Sequence, residues 1–118
     1  MARYVDGFLL AVPKNKLPAY RKMAAKAGKV FREYGALEFV ECVLDEQPKS
    51  FGVPFAKAAK TKAGEVVMLS WISYKSKAHR NAVNKKVMAD PRLQDAPDAM
   101  PFDHTRMSWG GFKTLVDL

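Results

Sequence analysis

Cysteine and long apolar runs are both scarce in this 118-residue sequence. Cys42 is the only cysteine, so no disulfide can form within the chain, and its place in an apolar run predicts a reduced, buried thiol. No apolar run approaches the roughly 18 residues that suggest a membrane-spanning helix. Residues 5–12 are apolar, but Asp6 and Gly7 interrupt them and no basic leader precedes them, which indicates a strand rather than a secretion signal. We therefore expect a cytoplasmic protein that does not engage a membrane.

Several catalytic signatures are also missing. The sequence contains no GxxxxGK[ST] loop, no GxGxxG and no GxSxG, which are the marks of nucleotide-binding loops and of many hydrolases. His79 and His104 are the only histidines, and the single cysteine is far from both, so no zinc-ligand spacing exists. The sequence thus predicts neither a metal site nor a cofactor, and it does not decide whether the protein is an enzyme.

Positive charge, in contrast, is abundant. The formal net charge of +8 would suit an acidic partner such as nucleic acid. The cations are nevertheless spread over one predicted helix and one loop, which is typical of solvated faces, and neither a groove-sized recognition helix nor an aromatic stacking platform is evident. The pattern argues against nucleic-acid binding without removing it as an alternative. The helix carries Lys14, Lys16, Arg21, Lys22, Lys26, Lys29 and Arg32, and the loop carries Lys49, Lys57, Lys60 and Lys62.

Hydrophobic periodicity predicts the element order β-α-β-β-α-β. Strands are predicted at 4–12, 37–44, 66–74 and 107–116, where apolar residues fill both faces or alternate. Asn15 is a candidate N-cap for a first helix that ends at Gly35, and Ser76 is one for a second helix that ends at Asp90. The connection over 45–65, with a short helix at 55–60, is long enough to be a lid, an interface arm or a disordered segment. Residues 93–104 are predicted to form a loop.

This order predicts an α+β, ferredoxin-like fold. Right-handed crossovers give a four-stranded antiparallel sheet in the spatial order 4-1-3-2, with both helices on one face. The first and third strands are then central, and both are apolar on their two faces. The helices cover one face, and the other would expose more apolar surface than monomers usually do. We predict a homodimer that packs sheet against sheet, a dimeric α/β barrel, built from a single domain over residues 1–118.

Polar side chains at apolar strand positions are the candidate site residues. Asp6 lies in a central strand, where an ionised carboxylate must be paired or have a raised pKa. Arg106, at the start of the neighbouring fourth strand, is its predicted partner, either in a structural ion pair or beside a functional Asp6 in a pocket. Glu41 raises the same question on the second strand. Ser70 and Trp109 are either packing residues or pocket-lining residues.

Seven short segments resemble the bacterial YbaA-like family. The resemblance runs through essentially the whole chain, in order and without large gaps. It implies a small cytoplasmic protein of the dimeric α/β-barrel type within the ferredoxin-like superfamily. That family has no established function, so the resemblance brings neither a reaction nor catalytic residues. The segments are Tyr4–Phe8, Gly35–Leu37, Val40–Cys42, Ser70–Ile72, Asp90–Arg92, Met100–Asp103 and Gly110–Phe112.

Three functions remain open at this point. The first is a small-molecule site between the sheet and the helices, an apolar pocket with a few convergent polar groups. The second is a structural or interaction dimer in which those polar groups satisfy one another and no ligand binds. The third is an electrostatic nucleic-acid binder. The pocket candidates are Asp6, Glu41, Ser70, Arg106 and Trp109.

Overall fold

The computed structural model of the chain describes residues 3–94 and 99–118. The strands are β1 (Tyr4–Pro13), β2 (Glu38–Val43), β3 (Glu65–Tyr74) and β4 (Ser108–Lys113). The α-helices are α1 (Leu17–Glu33), α2 (Phe55–Ala58) and α3 (Lys77–Ala89), and short 3-10 turns occupy Lys14–Lys16, Pro91–Leu93 and His104–Arg106. The predicted element order is confirmed, with α2 as the predicted short helix. Residues 95–98 of the predicted 93–104 loop lie outside the described residues.

The four strands form one antiparallel sheet in the order β2-β3-β1-β4. Read from the other edge this is the predicted order 4-1-3-2, so the α+β, ferredoxin-like fold is confirmed. β1 and β3 are the two central strands and each is ten residues long, whereas the edge strands have six. Long central strands flanked by short edges concentrate the buried apolar side chains on β1 and β3.

The ends of the helices follow local chemistry, with one correction. Asn15 is not the N-cap of α1, because it lies inside the 3-10 turn; α1 begins without a side-chain cap and carries Pro18 in its first turn, where a missing N–H loses no bond. Gly35 ends this segment with a φ of 111°, a left-handed conformation that glycine adopts freely. The predicted Ser76 cap is confirmed, because the Ser76 hydroxyl accepts a hydrogen bond from the backbone N–H of His79 at 3.1 Å.

The two faces of the sheet have different surroundings. On the helix side, two clusters of buried side chains both contact Phe8, one around Tyr74 and Val83 and the other around Leu10 and Tyr20. Neither α1 nor α3 packs on the opposite side, where Phe55 of the short α2 lies beside Val67 and Leu69 in the first half of β3, and Leu69 remains 44% exposed. The molecule is accordingly flat, with extents of 38 × 36 × 20 Å. We call this largely uncovered side the open face.

Candidate functional site

The strand register brings three of the predicted site residues into one row across the helix side of the sheet. Glu41 pairs with Ser70, Ser70 with Phe8, and Phe8 with Trp109, and directly opposite residues of antiparallel strands share a face. The rings of Phe8 and Trp109 stack with centroids 6.3 Å apart. Trp109 is 62% exposed, so it lies at the sheet edge and does not fill the core. Asp6 belongs to the next row along β1.

A cleft of about 630 Å³ opens between α1 and the β2–β3 half of the sheet. Its walls are apolar, because α1 contributes Leu17 and Ala24 while the sheet contributes Phe39, Val43 and Met68. The glycine at position 28 lets α1 approach β2 closely. Of the predicted site residues, Glu41 lines this cleft, and its cross-strand neighbour is the buried Ser70.

Glu41 meets a hydroxyl partner from α1. The Tyr20 hydroxyl donates to Oε1 of Glu41 at 2.7 Å, and the Tyr20 ring packs edge-on against Phe102. Burial raises the pKa of the Glu41 carboxyl, while the hydroxyls of Tyr20 and, to a lesser degree, Ser70 act in the opposite direction. Burial and the Glu41 carboxylate raise the pKa of Tyr20 well above its usual range. No cation forms an ion pair with Glu41 among residues 3–94 and 99–118. The cleft therefore holds a partly buried acid that a hydrogen bond from Tyr20, rather than a salt bridge, stabilises.

Asp6 pairs with Arg80 of α3, so the predicted Asp6–Arg106 pair is wrong. Asp6 is 3% exposed, and its Oδ1 lies 3.4 Å from Nε of Arg80. Neither atom has a hydrogen-bond partner among the described residues. Burial raises the pKa of Asp6, and the Arg80 guanidinium opposes that shift. The Arg80 side chain also donates to the Tyr4 hydroxyl at 3.0 Å. This is a close charge pair without aligned hydrogen bonds.

Arg106 instead joins the segment before β4 to the start of β3. Its Nη2 lies 2.7 Å from Oε2 of Glu65, and its Nε lies 3.0 Å from Oδ2 of Asp103. The strand register explains why Arg106 is distant from Asp6. β4 is antiparallel to β1, and the residue opposite Asp6 is Gly111, which lies five residues after Arg106. Five residues of strand span about 17 Å. Arg106 is therefore a structural clamp and does not line the cleft.

Sequence reasoning missed two side-chain partners, Tyr20 for Glu41 and Arg80 for Asp6. A tyrosine on the buried side of a helix needs a partner for its hydroxyl, and that requirement was the available signal for Tyr20. Arg80 shares a helical face with Val83 and Val87, the two buried residues of α3, at spacings of three and seven. A cation in an inward-facing stripe is a signal for a buried acid on the facing strand. Recognising it would have predicted the partner of Asp6.

Metal and membrane features can be described for the same part of the chain. In residues 3–94 and 99–118, no three His, Cys, Asp or Glu side chains come together in a way that could hold a metal ion. The described helices include none that is long and apolar enough to cross a membrane.

Comparison with known proteins places the chain among relatives. The model of a family described as a protein of unknown function, DUF1428, matches residues 3–104. The chain belongs to this DUF1428 family. The chain is also 48% identical over 115 residues to the uncharacterized protein YbaA of Escherichia coli K12 and to that of Shigella flexneri, with 98% of each chain covered. The resemblance to YbaA-like proteins is thereby confirmed.

Two solved structures share the fold of this DUF1428 protein. One is a dimeric ferredoxin-like protein from an uncultured marine organism, at 13% identity and a TM-score of 0.60, with 100% of both chains covered. The other is an uncharacterized NIPSNAP domain protein from Burkholderia xenovorans, at 17% identity and a TM-score of 0.53, covering 92% of this chain and 91% of that one. At such low identity the likeness concerns the fold alone.

Proposed function

We propose that this protein binds a small apolar molecule in the cleft between α1 and the β2–β3 half of the sheet, and that it works as a cytoplasmic homodimer joined through the open face. The observation that carries the binding proposal is the Glu41–Tyr20 pair, a partly buried, hydrogen-bonded acid inside an apolar cleft. The cleft volume of about 630 Å³ falls within the range of roughly 300–1,000 Å³ that is typical of ligand pockets.

The same observation favours a ligand site over a purely structural dimer. Burying a carboxyl group reduces stability unless its hydrogen bonds are made, and apolar residues at these positions would pack at least as well. In a structural dimer we would expect the space beside Glu41 to be filled by side chains. An open volume with one hydrogen-bonded acid is instead the pattern of a pocket that fixes the orientation of a ligand.

Homodimerisation is supported by the composition and size of the open face. The open face carries large apolar side chains that are not fully buried: Leu69 and Trp71 of β3, Val40 of β2 and Phe112 of β4. Four strands spaced about 4.8 Å apart, with lengths near 20–33 Å, give a face of roughly 500 Å² in projection. That area lies at the upper end of the apolar patches that monomers expose, and patches of this size often mark interaction sites. The fold neighbour from the marine organism is described as dimeric, which also supports association.

The binding proposal can be tested with a neutral fluorescent probe, N-phenyl-1-naphthylamine, whose emission rises in an apolar site. We expect saturable binding to the wild-type protein. Ala25 is an exposed residue of α1 that lines the cleft, whereas Ala19 is an exposed residue of the same helix outside it. Ala25→Trp should fill the cleft and weaken binding by about tenfold or more, since an apolar contact area of this size is worth over 1 kcal/mol.

Ala19→Trp is the matched control, because it adds the same ring to the same helix, and it should leave probe binding unchanged. Equal binding by the wild type and the Ala25→Trp protein would contradict the proposal. So would the absence of saturable binding to a protein that circular dichroism shows to be folded.

A further inference from the structure

The arginines of this protein divide into two groups by their partners. The sequence contains six arginines, and four of them form ion pairs with carboxylates: Arg3, Arg80, Arg92 and Arg106. Arg21 and Arg32 form no ion pair with residues 3–94 or 99–118, and both line the mouth of the cleft. Within the described part of the chain, the arginines therefore pair with carboxylates except where they line the cleft.

Lys29 joins these two arginines along one edge of α1. Positions 21, 25, 29 and 32 follow one another at spacings of four, four and three, so they form a stripe along one side of the helix. Ala25 lies between the Arg21 and Lys29 positions, which are about 12 Å apart along the helix axis. A small side chain between two cations leaves the cleft mouth open there. Arg32 donates to the backbone carbonyl of Leu37, which ties the end of the stripe to the sheet.

The acidic residues at the end of α1 and on β2 already have partners. Glu33 pairs with Arg92, Glu38 pairs with Arg3, and Glu41 accepts the Tyr20 hydroxyl deeper in the cleft. The mouth therefore combines three cations with apolar walls, and a guanidinium is well suited to bind a planar carboxylate or a phosphate oxygen pair.

We infer that the ligand of this cleft is an amphipathic anion, an apolar body of aromatic or alkyl type that carries one carboxylate- or phosphate-like group held by Arg21 and Lys29. This inference rests on the proposed function, since it names the class of molecule that the cleft takes. The apolar body lies against Ala24, Phe39 and Met68, and the charged group stays at the mouth, where it remains partly solvated. A neutral analogue of the same shape enters the cleft but makes no charge contact with Arg21 and Lys29 at its mouth.

Two probes that differ by one charged group separate the inference from the proposal. 8-Anilinonaphthalene-1-sulfonate has the skeleton of N-phenyl-1-naphthylamine with an added sulfonate. We expect the wild-type protein to bind the sulfonate probe about three- to tenfold more tightly than the neutral one, a ratio suited to partly exposed charge contacts. Ala25→Trp should weaken both probes, because both need the apolar cleft.

The charge variants test which cations act. Arg21→Gln/Lys29→Gln should remove the preference for the sulfonate probe and leave the affinity of the neutral probe within about twofold. Lys22→Gln/Lys26→Gln is the matched control, because it removes two charges from the same helix at exposed positions that do not line the cleft. The control variant should retain most of the preference for the sulfonate probe over the neutral one.

Three outcomes would overturn the inference. Equal affinity of the wild type for the two probes would leave the cleft as a site for neutral molecules. Equal loss in both double variants would mean that net charge, not the cleft mouth, attracts the anion. Displacement of the sulfonate probe by a short DNA duplex, abolished in Arg21→Gln/Lys29→Gln, would assign these cations to nucleic acid. If Ala25→Trp weakens neither probe, the proposed function itself fails.

Discussion

At the scale of single residues, Asp6 is the clearest case of a group whose environment opposes its charge. It is buried on β1 beside Arg80, at 3.4 Å and without a hydrogen bond between them. Removing one member of a buried ion pair leaves an uncompensated charge. We expect Arg80→Met to destabilise the fold at pH 7 by about 3 kcal/mol, the lower end for such pairs, because Arg80 is partly exposed. Asp6→Asn should be milder, and adding it to Arg80→Met should recover most of the loss.

The pH dependence of that effect has a definite sign. Burial raises the folded-state pKa of Asp6 above its unfolded value, and loss of Arg80 raises it further. The folded state then binds the proton first as the pH falls, so the deficit of Arg80→Met is complete above the raised pKa and shrinks as the pH decreases through it. Urea unfolding of the variants between pH 7 and pH 4 measures this. A deficit that stays constant over the range, or that persists unchanged in the double variant, would show that Asp6 and Arg80 do not interact.

At the scale of elements, the packing of α1 on β2 depends on one glycine. A Cβ on Gly28 would lie 2.6 Å from Cδ1 and 2.9 Å from Cε1 of Phe39, closer than packed carbon atoms allow. Gly28→Ala gains about 1 kcal/mol of helix propensity but overpacks this contact, which typically costs about 1–3 kcal/mol. We expect a net loss of stability, and a net gain when the same change is made in a Phe39→Ala background.

Urea unfolding of the four proteins in this cycle gives the coupling between positions 28 and 39. The reversal of sign is the diagnostic result, because propensity acts in both backgrounds while the clash exists only with the ring. If Gly28→Ala stabilises both proteins equally, α1 does not approach β2 as closely as the structure shows.

Elements and their order were accessible from sequence because they depend on local periodicity and on the handedness of crossovers. The pattern around Tyr20 and Ala24 predicts α1, and two-sided apolar strands predict which strands are central. Partners of individual side chains were less accessible, since they depend on register. β4 runs antiparallel from Leu9 of β1 toward Tyr4, so Arg106, which precedes β4, lies beyond Leu9 and away from Asp6. A pocket between sheet and helices was one of the hypotheses from sequence, but its position beside α1 and its volume could not be predicted, because they depend on the distance between α1 and β2.

At the scale of the whole molecule, the flat shape is the dominant feature. The radius of gyration is 15.0 Å, compared with about 13.5 Å expected for a compact chain of this length. Two layers rather than three account for part of the difference, and the connection from β2 to β3 adds exposed apolar side chains such as Phe51 and Val53. A second copy on the open face would turn the two-layer molecule into a four-layer dimer with a buried centre.

Association through the open face makes a prediction about two exposed apolar residues on opposite sides of the molecule. Leu69 lies on the open face and is 44% exposed, whereas Met88 lies on α3 and is 74% exposed. Leu69→Lys places an unpaired charge in the interface twice per symmetric dimer, so we expect the dissociation constant to rise about a hundredfold or more. Met88→Lys adds the same charge outside the interface and should leave association unchanged. Sedimentation equilibrium should give twice the 13.2 kDa chain mass for the wild type and for Met88→Lys, and the single-chain mass for Leu69→Lys. A monomeric wild type would refute the dimer, and dissociation by Met88→Lys but not by Leu69→Lys would move the interface to the helix side.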